Sequence, residues 1–362
     1  MSDILILGYY GFKNSGDDAL LLSIIQQLYS KKEDLKCLVL SNNPEETKNI
    51  YKVSSVDRNS IIKVISSIAK TKMLLVGGGT LIQDSTSTKS LLYYLFIIAV
   101  ALLFNKKVML YANGIGPIKK ENEKITRFIL NKVDIITLRD KMSVAQLQAL
   151  KITKPKIYLT ADSAFGLSYD EVDKSHIYNR YKLLENKKYF CISLRDYKGL
   201  CKNFNDYIKT MCQTIYKEFG YIPVFLPFQP IKDTKICQDI SSSLSIPFVM
   251  ADSQCDISQL LSLIKNSELM VGMRLHSLIY STICNVSCVG LVYDPKVKAF
   301  MDYIGQNTYI NAESFSPDEL IALCADSINN KVQIKEKLNE NLVSLKINAQ
   351  KNAEYALSLL EN

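Results

Sequence analysis

Apolar positions along this chain come in short unbroken runs, separated by stretches in which they recur at helical spacing. The run ILILGYY (4–10) predicts a buried strand, and DDALLLSIIQQLYS (17–30) predicts the helix after it. KMLLVGGG (72–79), KVMLYANGIG (107–116), DIITLRD (134–140) and IYLTAD (157–162) each pair a strand with a turn or cap. A strand that is apolar throughout is covered on both faces, as parallel strands between helices are. The pattern therefore predicts a doubly wound α/β domain over 1–167. Regularity lapses over SYDEVDKSHIYNRYKLLENKK (168–188), which is polar and charged and is expected to connect two domains. Alternation resumes with YFCISLR (189–195), YIPVFLPF (221–228), PFVMAD (247–252), ELMVGMR (268–274) and SCVGLVYD (287–294). A second α/β domain is expected over 189–345, and the tail from Ser316 reads as helices, the last over 346–362. The fold class is thus α/β, with two Rossmann-like domains facing a central cleft. In such sheets ligands bind beyond the carboxyl ends of the strands, so the loops there are the place to look for chemistry.

One apolar run has two readings. SLLYYLFIIAVALLF (90–104) is shorter than the ~20 residues that span a bilayer. It is either a helix buried between a sheet and another helix, or an interfacial helix touching lipid.

Composition narrows the picture. A chain of 362 residues is too long for one ordinary core, and 48% hydrophobic with 22% charged residues marks a folded protein. The net charge of +8 is mild and no long lysine–arginine run occurs, which argues against nucleic acid. An anionic small substrate or a membrane surface fits as well. Nine cysteines are scattered with no C-x-x-C pair and no signal peptide, so reduced thiols in the cytoplasm are expected.

Three loops stand out. GYYGFKNSGDDALL (8–21) joins the first strand to the first helix. Gly11 and Gly16 permit tight turns, while Asn14, Ser15 and Asp17 can cap exposed amides. A helix N-terminus reached through glycines suits an anion. The spacing is not the dinucleotide G-x-G-x-x-G. Asp17 has either a chemical role or the ordinary one of complementing the helix dipole. VGGGTLIQDSTSTKS (76–90) places Gly78 and Gly79 where backbone amides can approach a ligand, and Thr80, Gln83, Ser85, Thr86, Ser87 and Thr88 suit a polyhydroxylated partner such as a sugar. A flexible turn with a Ser/Thr-rich cap is the alternative. ANGIGPI (112–118) is similar but less specific.

Cations mark the strand ends. Arg139 ends the fourth of these strands, before a capping Asp140, and is expected to point beyond it; SLRD (193–196) repeats the arrangement with Arg195. In VGMRLHSLIYS (271–281), Arg274 and His276 straddle a strand-to-helix turn, and His276 is one of only two histidines. Guanidinium grips carboxylate or phosphate in a fork, and imidazole exchanges protons near neutrality. Lys296, in VYDPKVKAF (292–300), is a further phosphate ligand; the other histidine, His176, lies among charges in the connection. No His/Cys/Asp cluster has metal spacing, so no metal is expected, and no hydrolase elbow occurs.

In these motifs, taken in order, the chain resembles the polysaccharide pyruvyl transferase family, in particular the bacterial cell-wall type often called CsaB. The resemblance rests on GYYGFKNSGDDALL, VGGGTLIQDSTSTKSLLYYL, ANGIGPI, TLRD, GMRLHSLIYS and YDPKV, which span nearly the whole chain. It implies a GT-B-like architecture with an N-terminal acceptor side and a C-terminal donor side. It implies transfer of the pyruvyl group of phosphoenolpyruvate, a co-substrate, onto two hydroxyls of a sugar, giving a cyclic ketal and phosphate. In the cell-wall branch, concerned with secondary cell wall polysaccharide and S-layer anchoring, the acceptor is N-acetylmannosamine on a lipid-linked precursor. Donor binding would fall to Arg139, Arg274, His276 and Lys296, with Arg195 as a further cation, and a catalytic carboxylate to Asp17. The first loop departs from the family pattern at Lys13, in place of a small residue, and at Asp18, where glutamate is common. Peripheral contact with the inner face of the membrane would accompany a lipid-linked acceptor. Two alternatives remain at this level: a GT-B glycosyltransferase using a nucleotide sugar, and a non-catalytic anion-binding module.

Overall fold

The computed structural model describes residues 2–85, 87–169, 174–252 and 255–361. Thr86 and part of the polar connection (170–173) lie outside them. The chain divides into two compact units, Met1–Ser168 with Ser344–Asn362, and Tyr169–Val343.

The first unit runs β1 (Ser2–Tyr10), α1 (Ser15–Lys31), β2 (Cys37–Ser41), α2 (Pro44–Tyr51), β3 (Ser54–Asp57), α3 (Ile61–Ala69) and β4 (Thr71–Gly77). It continues with α4 (Thr88–Leu103), β5 (Lys107–Asn113), α5 (Lys120–Leu130), β6 (Ile135–Leu138), α6 (Lys141–Ala149) and β7 (Lys156–Leu159). Its seven parallel strands lie in the order β3-β2-β1-β4-β5-β6-β7. The unbroken apolar strands have a direct cause. In β1, Ile4 and Ile6 enter one core with α1, while Leu5 and Leu7 enter the opposite core with α3, α4, α5 and α6; in β4, Met73 and Leu75 divide from Leu74 and Val76 in the same way. Both faces of the sheet are covered, so no strand position can be polar without cost.

The second unit runs α7 (Lys174–Arg180), β8 (Tyr189–Ser193), α8 (Phe204–Phe219), β9 (Ile222–Phe225), α9 (Pro230–Ser241), β10 (Val249–Met250) and α10 (Ile257–Lys265). Then come β11 (Met270–Gly272), α11 (Leu275–Ile283), β12 (Cys288–Val292), α12 (Pro295–Tyr303), β13 (Tyr309–Asn311), α13 (Pro317–Asn329) and α14 (Lys331–Glu361). Its six parallel strands are ordered β10-β9-β8-β11-β12-β13. The described part of the connection, with α7, clusters within this unit. The last helix begins at Lys331 rather than near 346, and its end belongs to the first unit. There Ala353, Ala356 and Leu359 share a core with Ile24 and Leu28, and the buried Asn352 accepts a hydrogen bond from the Thr160 hydroxyl at 2.9 Å.

Strand order reverses between β1 and β4 in one unit and between β8 and β11 in the other. The loops leaving these strands diverge to opposite faces, which opens a crevice at the carboxyl edge of each sheet. The glycine-rich loops lie at the first reversal and the Arg274–His276 turn at the second.

The segment 90–104 falls in α4 and Phe104. One side of α4 is buried on the sheet, but Leu92, Phe96 and Leu103 are exposed, so the helix is not covered on its outer side as a fully buried helix would be.

Candidate functional site

In the first unit the β1–α1 loop is tightly constrained. Gly11 has φ +78, and a Cβ there would lie 2.3 Å from Ser41 Oγ and 2.5 Å from the Asn43 amide. Asn14 caps α1: its side chain accepts from the Gly16 amide at 3.2 Å, and its Nδ2 donates to Asp17 Oδ2 at 2.5 Å. Ser15 opens the helix, and Asp17 in the first turn is 8% exposed.

The β4–α4 loop packs on that carboxylate. Gly79 has φ +58, and a Cβ there would stand 3.1 Å from Asp17 Oδ1; Gly78 has φ +98. Thr80 follows, its hydroxyl accepting from Arg139 NH2 at 3.0 Å. Gly114 of the β5 loop leaves room for both, since a Cβ there would sit 2.6 Å from Thr80 Oγ1 and 3.3 Å from the Arg139 guanidinium. Gln83 accepts from the Ser85 hydroxyl at 2.6 Å in the outer part of the loop.

Arg139 does not point freely beyond its strand. It is 7% exposed, and its NH1 donates to the buried Asp162 at 2.7 Å. Asp140 lies 3.6 Å from its Nε while capping α6 through the Ser143 amide. Burial opposes the charge, but Asp162 and Asp140 hold the guanidinium pKa above its ordinary value, with a smaller contribution from Asp17. Asn14, Asp17, Gly79, Thr80, Arg139 and Asp162 thus form one polar cluster at the first reversal. Asp162, at the end of IYLTAD, is a site residue that the sequence motifs do not single out.

Arg58, in the turn after β3, is equally hidden from sequence reasoning. It is buried, donates to the Gly8 carbonyl at 2.6 Å, and lies 4.7 Å from the Tyr93 ring centroid and 5.3 Å from that of Phe12. It pins β1 just before the loop.

In the second unit, Gly272 lets α11 approach, because a Cβ there would fall 2.4 Å from Ser277 Oγ. Arg274 takes the cap position of α11, and its own carbonyl accepts from the Ser277 hydroxyl at 2.6 Å. Its side chain meets the fully buried Asp233 of α9 in a fork, Nε to Oδ2 at 3.1 Å and NH2 to Oδ1 at 2.5 Å. Gln229 completes the arrangement, its Oε1 accepting from Arg274 NH2 at 3.3 Å and its amide donating to Asp233 at 2.8 Å. The fork fixes the guanidinium plane and offsets its charge, and NH1 takes part in none of these bonds. His276, half-buried, is the second residue of α11, and the Ser277 amide next to it donates to the Arg274 carbonyl at 2.9 Å.

The other two cations sit at strand ends of the same sheet. Lys296 pairs with Asp294 at 3.0 Å, and Asp294 also caps α12. Arg195 donates to the Tyr293 hydroxyl at 3.0 Å and lies 5.3 Å from that ring, so this contact leaves its charge unneutralised. The structure therefore places Arg139 with the glycine loops of the first unit, and Arg195, Arg274, His276 and Lys296 in the second.

Comparison with known proteins accords with this layout. Residues 14–295 match the polysaccharide pyruvyl transferase family. The amylovoran biosynthesis protein AmsJ of Erwinia amylovora is 21% identical, over 92% of this chain and 94% of its own. Among solved structures, MnaA of S. aureus with UDP aligns with a TM-score of 0.69 at 13% identity, covering 100% of this chain and 98% of its own. The UDP-GlcNAc 2-epimerase of Neisseria meningitidis bound to UDP-GlcNAc gives 0.67 at 14%, with both chains covered completely. At such identities these structures establish the fold alone, a GT-B-like pair of Rossmann-type units. The chain belongs to the polysaccharide pyruvyl transferase family. It is a transferase of polysaccharide biosynthesis.

Proposed function

We propose that this protein moves the pyruvyl group of phosphoenolpyruvate onto two hydroxyls of a sugar, forming a cyclic ketal and releasing phosphate. The acceptor proposed is N-acetylmannosamine of a lipid-linked cell-wall precursor, as in the CsaB type, at the inner face of the membrane. The observation that carries the donor assignment is the turn at Arg274 and His276. It sets a guanidinium held by Asp233 and an imidazole two residues apart at one strand end, where α11 begins. Phosphoenolpyruvate carries a carboxylate and a phosphate close together, which is the charge pattern such a turn accepts.

In this reading the second unit holds the donor. Arg274 presents NH1, His276 holds phosphate or supplies a proton, and Arg195 and Lys296 add positive charge. The first unit supplies the acceptor side. Asp17 takes a hydroxyl proton, Thr80 and the glycine amides hold the sugar, and Arg139 positions Thr80 as well as adding charge. Protonation of the donor's methylene carbon leaves an oxocarbenium-like centre. One sugar hydroxyl attacks it and loses its proton. The C–O bond to phosphate then breaks, the phosphate departing with the electron pair, and the second hydroxyl closes the ring and loses its proton. One of the two released protons replaces the one used; the other leaves with phosphate. The chemistry calls for an acid, a base and charge neutralisation, and for no resident cofactor.

The test is phosphate release from phosphoenolpyruvate with and without a lipid-linked N-acetylmannosaminyl acceptor. Release that needs the acceptor is expected, and His276→Gln should lower turnover by about 10²–10⁴-fold if the imidazole exchanges a proton. Acceptor-independent release, or none, overturns the reading.

A further inference from the structure

The outer stripe of α4 is unlike that of an ordinary surface helix. Lys89, Leu92, Phe96, Ala99 and Leu103 follow one another at three- and four-residue spacing, so they lie on one side of the helix. Leu92 is 41% exposed, Phe96 45% and Leu103 82%, where a surface helix normally carries polar residues. The flanking helices repeat the feature. Ile61 and Ile62 at the start of α3 are exposed, and so are Ile125 and Phe128 on α5. All three helices pack on the same face of the sheet, with α4 against both α3 and α5.

The charges among these residues are mostly of one sign. Lys63 on α3, Lys89 on α4 and Lys124 on α5 are exposed, as is Lys132 just beyond α5, while Glu121 and Glu123 are the acids of α5. Beside Phe128 the surface hollows into a cavity of about 480 Å³ lined by Lys124, Arg127, Phe128, Asn131, Lys132 and Lys154. No acidic residue lines it, and Lys132 Nζ lies 4.0 Å from the Phe128 ring centroid.

We infer that the α3–α4–α5 face docks onto an anionic lipid surface, with the basic hollow beside Phe128 seating a headgroup phosphate. An apolar stripe bordered by cations is the pattern of an interfacial helix. The charge complements anionic headgroups rather than a second copy of this chain, whose same face would bring like charges together. At 16 residues and ~1.5 Å of rise per residue, α4 is too short to span a bilayer, so it would lie along the surface. Among the described residues no helix is long and apolar enough to cross one. The inference deepens the proposed use of a lipid-linked acceptor and rests on that reading for its purpose, while its physical basis is the face itself.

Sedimentation of the full chain with vesicles tests it. Wild type should pellet with phosphatidylcholine vesicles containing phosphatidylglycerol, less so at high salt, and only weakly with phosphatidylcholine alone. Phe96→Gln with Leu103→Gln should abolish binding to both. Lys124→Glu with Lys132→Glu should lower the anionic-vesicle partition by at least roughly tenfold. Absence of binding by wild type at low salt overturns the inference, as do variants that bind like wild type. So does a wild-type dimer that the Phe96 and Leu103 changes dissociate. Phosphate release with a detergent-soluble, short-chain acceptor separates the two ideas. It should be unchanged in these variants, and its absence from wild type would count against the transfer reading while leaving vesicle binding to judge the face.

Discussion

At the scale of single residues, the buried partners of the site cations decide what substitutions do. Removing Arg274 strands the fully buried Asp233 carboxylate, and breaking such a pair costs about 3–5 kcal/mol. Arg274→Ala should therefore lower the melting temperature as well as donor affinity. Arg274→Ala with Asp233→Asn removes both charges and keeps an acceptor for the Gln229 amide, so it should recover most of the stability. It should not recover stabilisation by phosphoenolpyruvate. A double variant that binds the donor normally in calorimetry would remove Arg274 from the donor site. Asp18 makes a different point. Burial pushes its carboxyl up to about 7, opposed by a hydrogen bond with Tyr51 and assisted by Glu46. A carboxyl raised in the folded state has its stability contribution intact below the unfolded value of ~3.9 and loses it as pH rises toward 7. Asp18→Asn should match wild type in thermal melts near pH 4 and exceed it by several degrees at pH 8. Equal melting temperatures at both pH values would show that Asp18 ionises without cost.

At the scale of elements, the central strands were legible because each carries apolar residues to two cores. Short elements were not. β3, SSVD, is a four-residue edge strand without a buried position, and β13, YIN, has three residues. β2 did leave a signal, the apolar run CLVL stopped by Ser41, Asn42, Asn43 and Pro44, but the run is only four residues long. The glycine loops and the Arg274 turn were visible because they combine a strand end, a turn and a helix start. Asp233 was not, because it sits 41 residues before Arg274 on α9 and resembles any polar helix residue until the fold brings the two together. Arg58 and Asp162 were hidden for the same reason. The loop itself offers a test. Gly79 combines φ +58 with a contact that would bring a methyl to 3.1 Å from the Asp17 carboxylate. Left-handed backbone costs a non-glycine residue of order 1–3 kcal/mol. Gly79→Ala should lower thermal stability within that range and reduce turnover more strongly than it reduces donor affinity, since the affected carboxylate is the proposed base. A loss of donor affinity equal to the loss of turnover would place this loop on the donor side instead.

At the scale of the whole molecule, the fold says little about the ligand. Two of its structural neighbours were solved with UDP or UDP-GlcNAc, yet at 13–14% identity the likeness carries architecture alone. In the proposed reading the second unit's reversal point instead offers Arg274 and His276, at the start of α11, to a compact anion bearing carboxylate and phosphate, which requires no base pocket. Ligand-induced stabilisation distinguishes these directly. A ligand that binds only the folded state stabilises it by RT ln(1 + [L]/Kd), about 2.7 kcal/mol at a hundredfold excess over Kd. Phosphoenolpyruvate should raise the melting temperature in proportion to the logarithm of its concentration, and UDP-GlcNAc should not. With two units the transition need not be two-state, so the shift itself is the observable rather than a derived free energy. His276→Gln should retain part of the phosphoenolpyruvate shift if the imidazole acts as a proton donor, and lose most of it if the imidazole is chiefly a phosphate ligand. A shift with UDP-GlcNAc and none with phosphoenolpyruvate would instead make the Arg274 turn a nucleotide-sugar diphosphate site, and pyruvyl transfer from phosphoenolpyruvate would have to be abandoned for this chain.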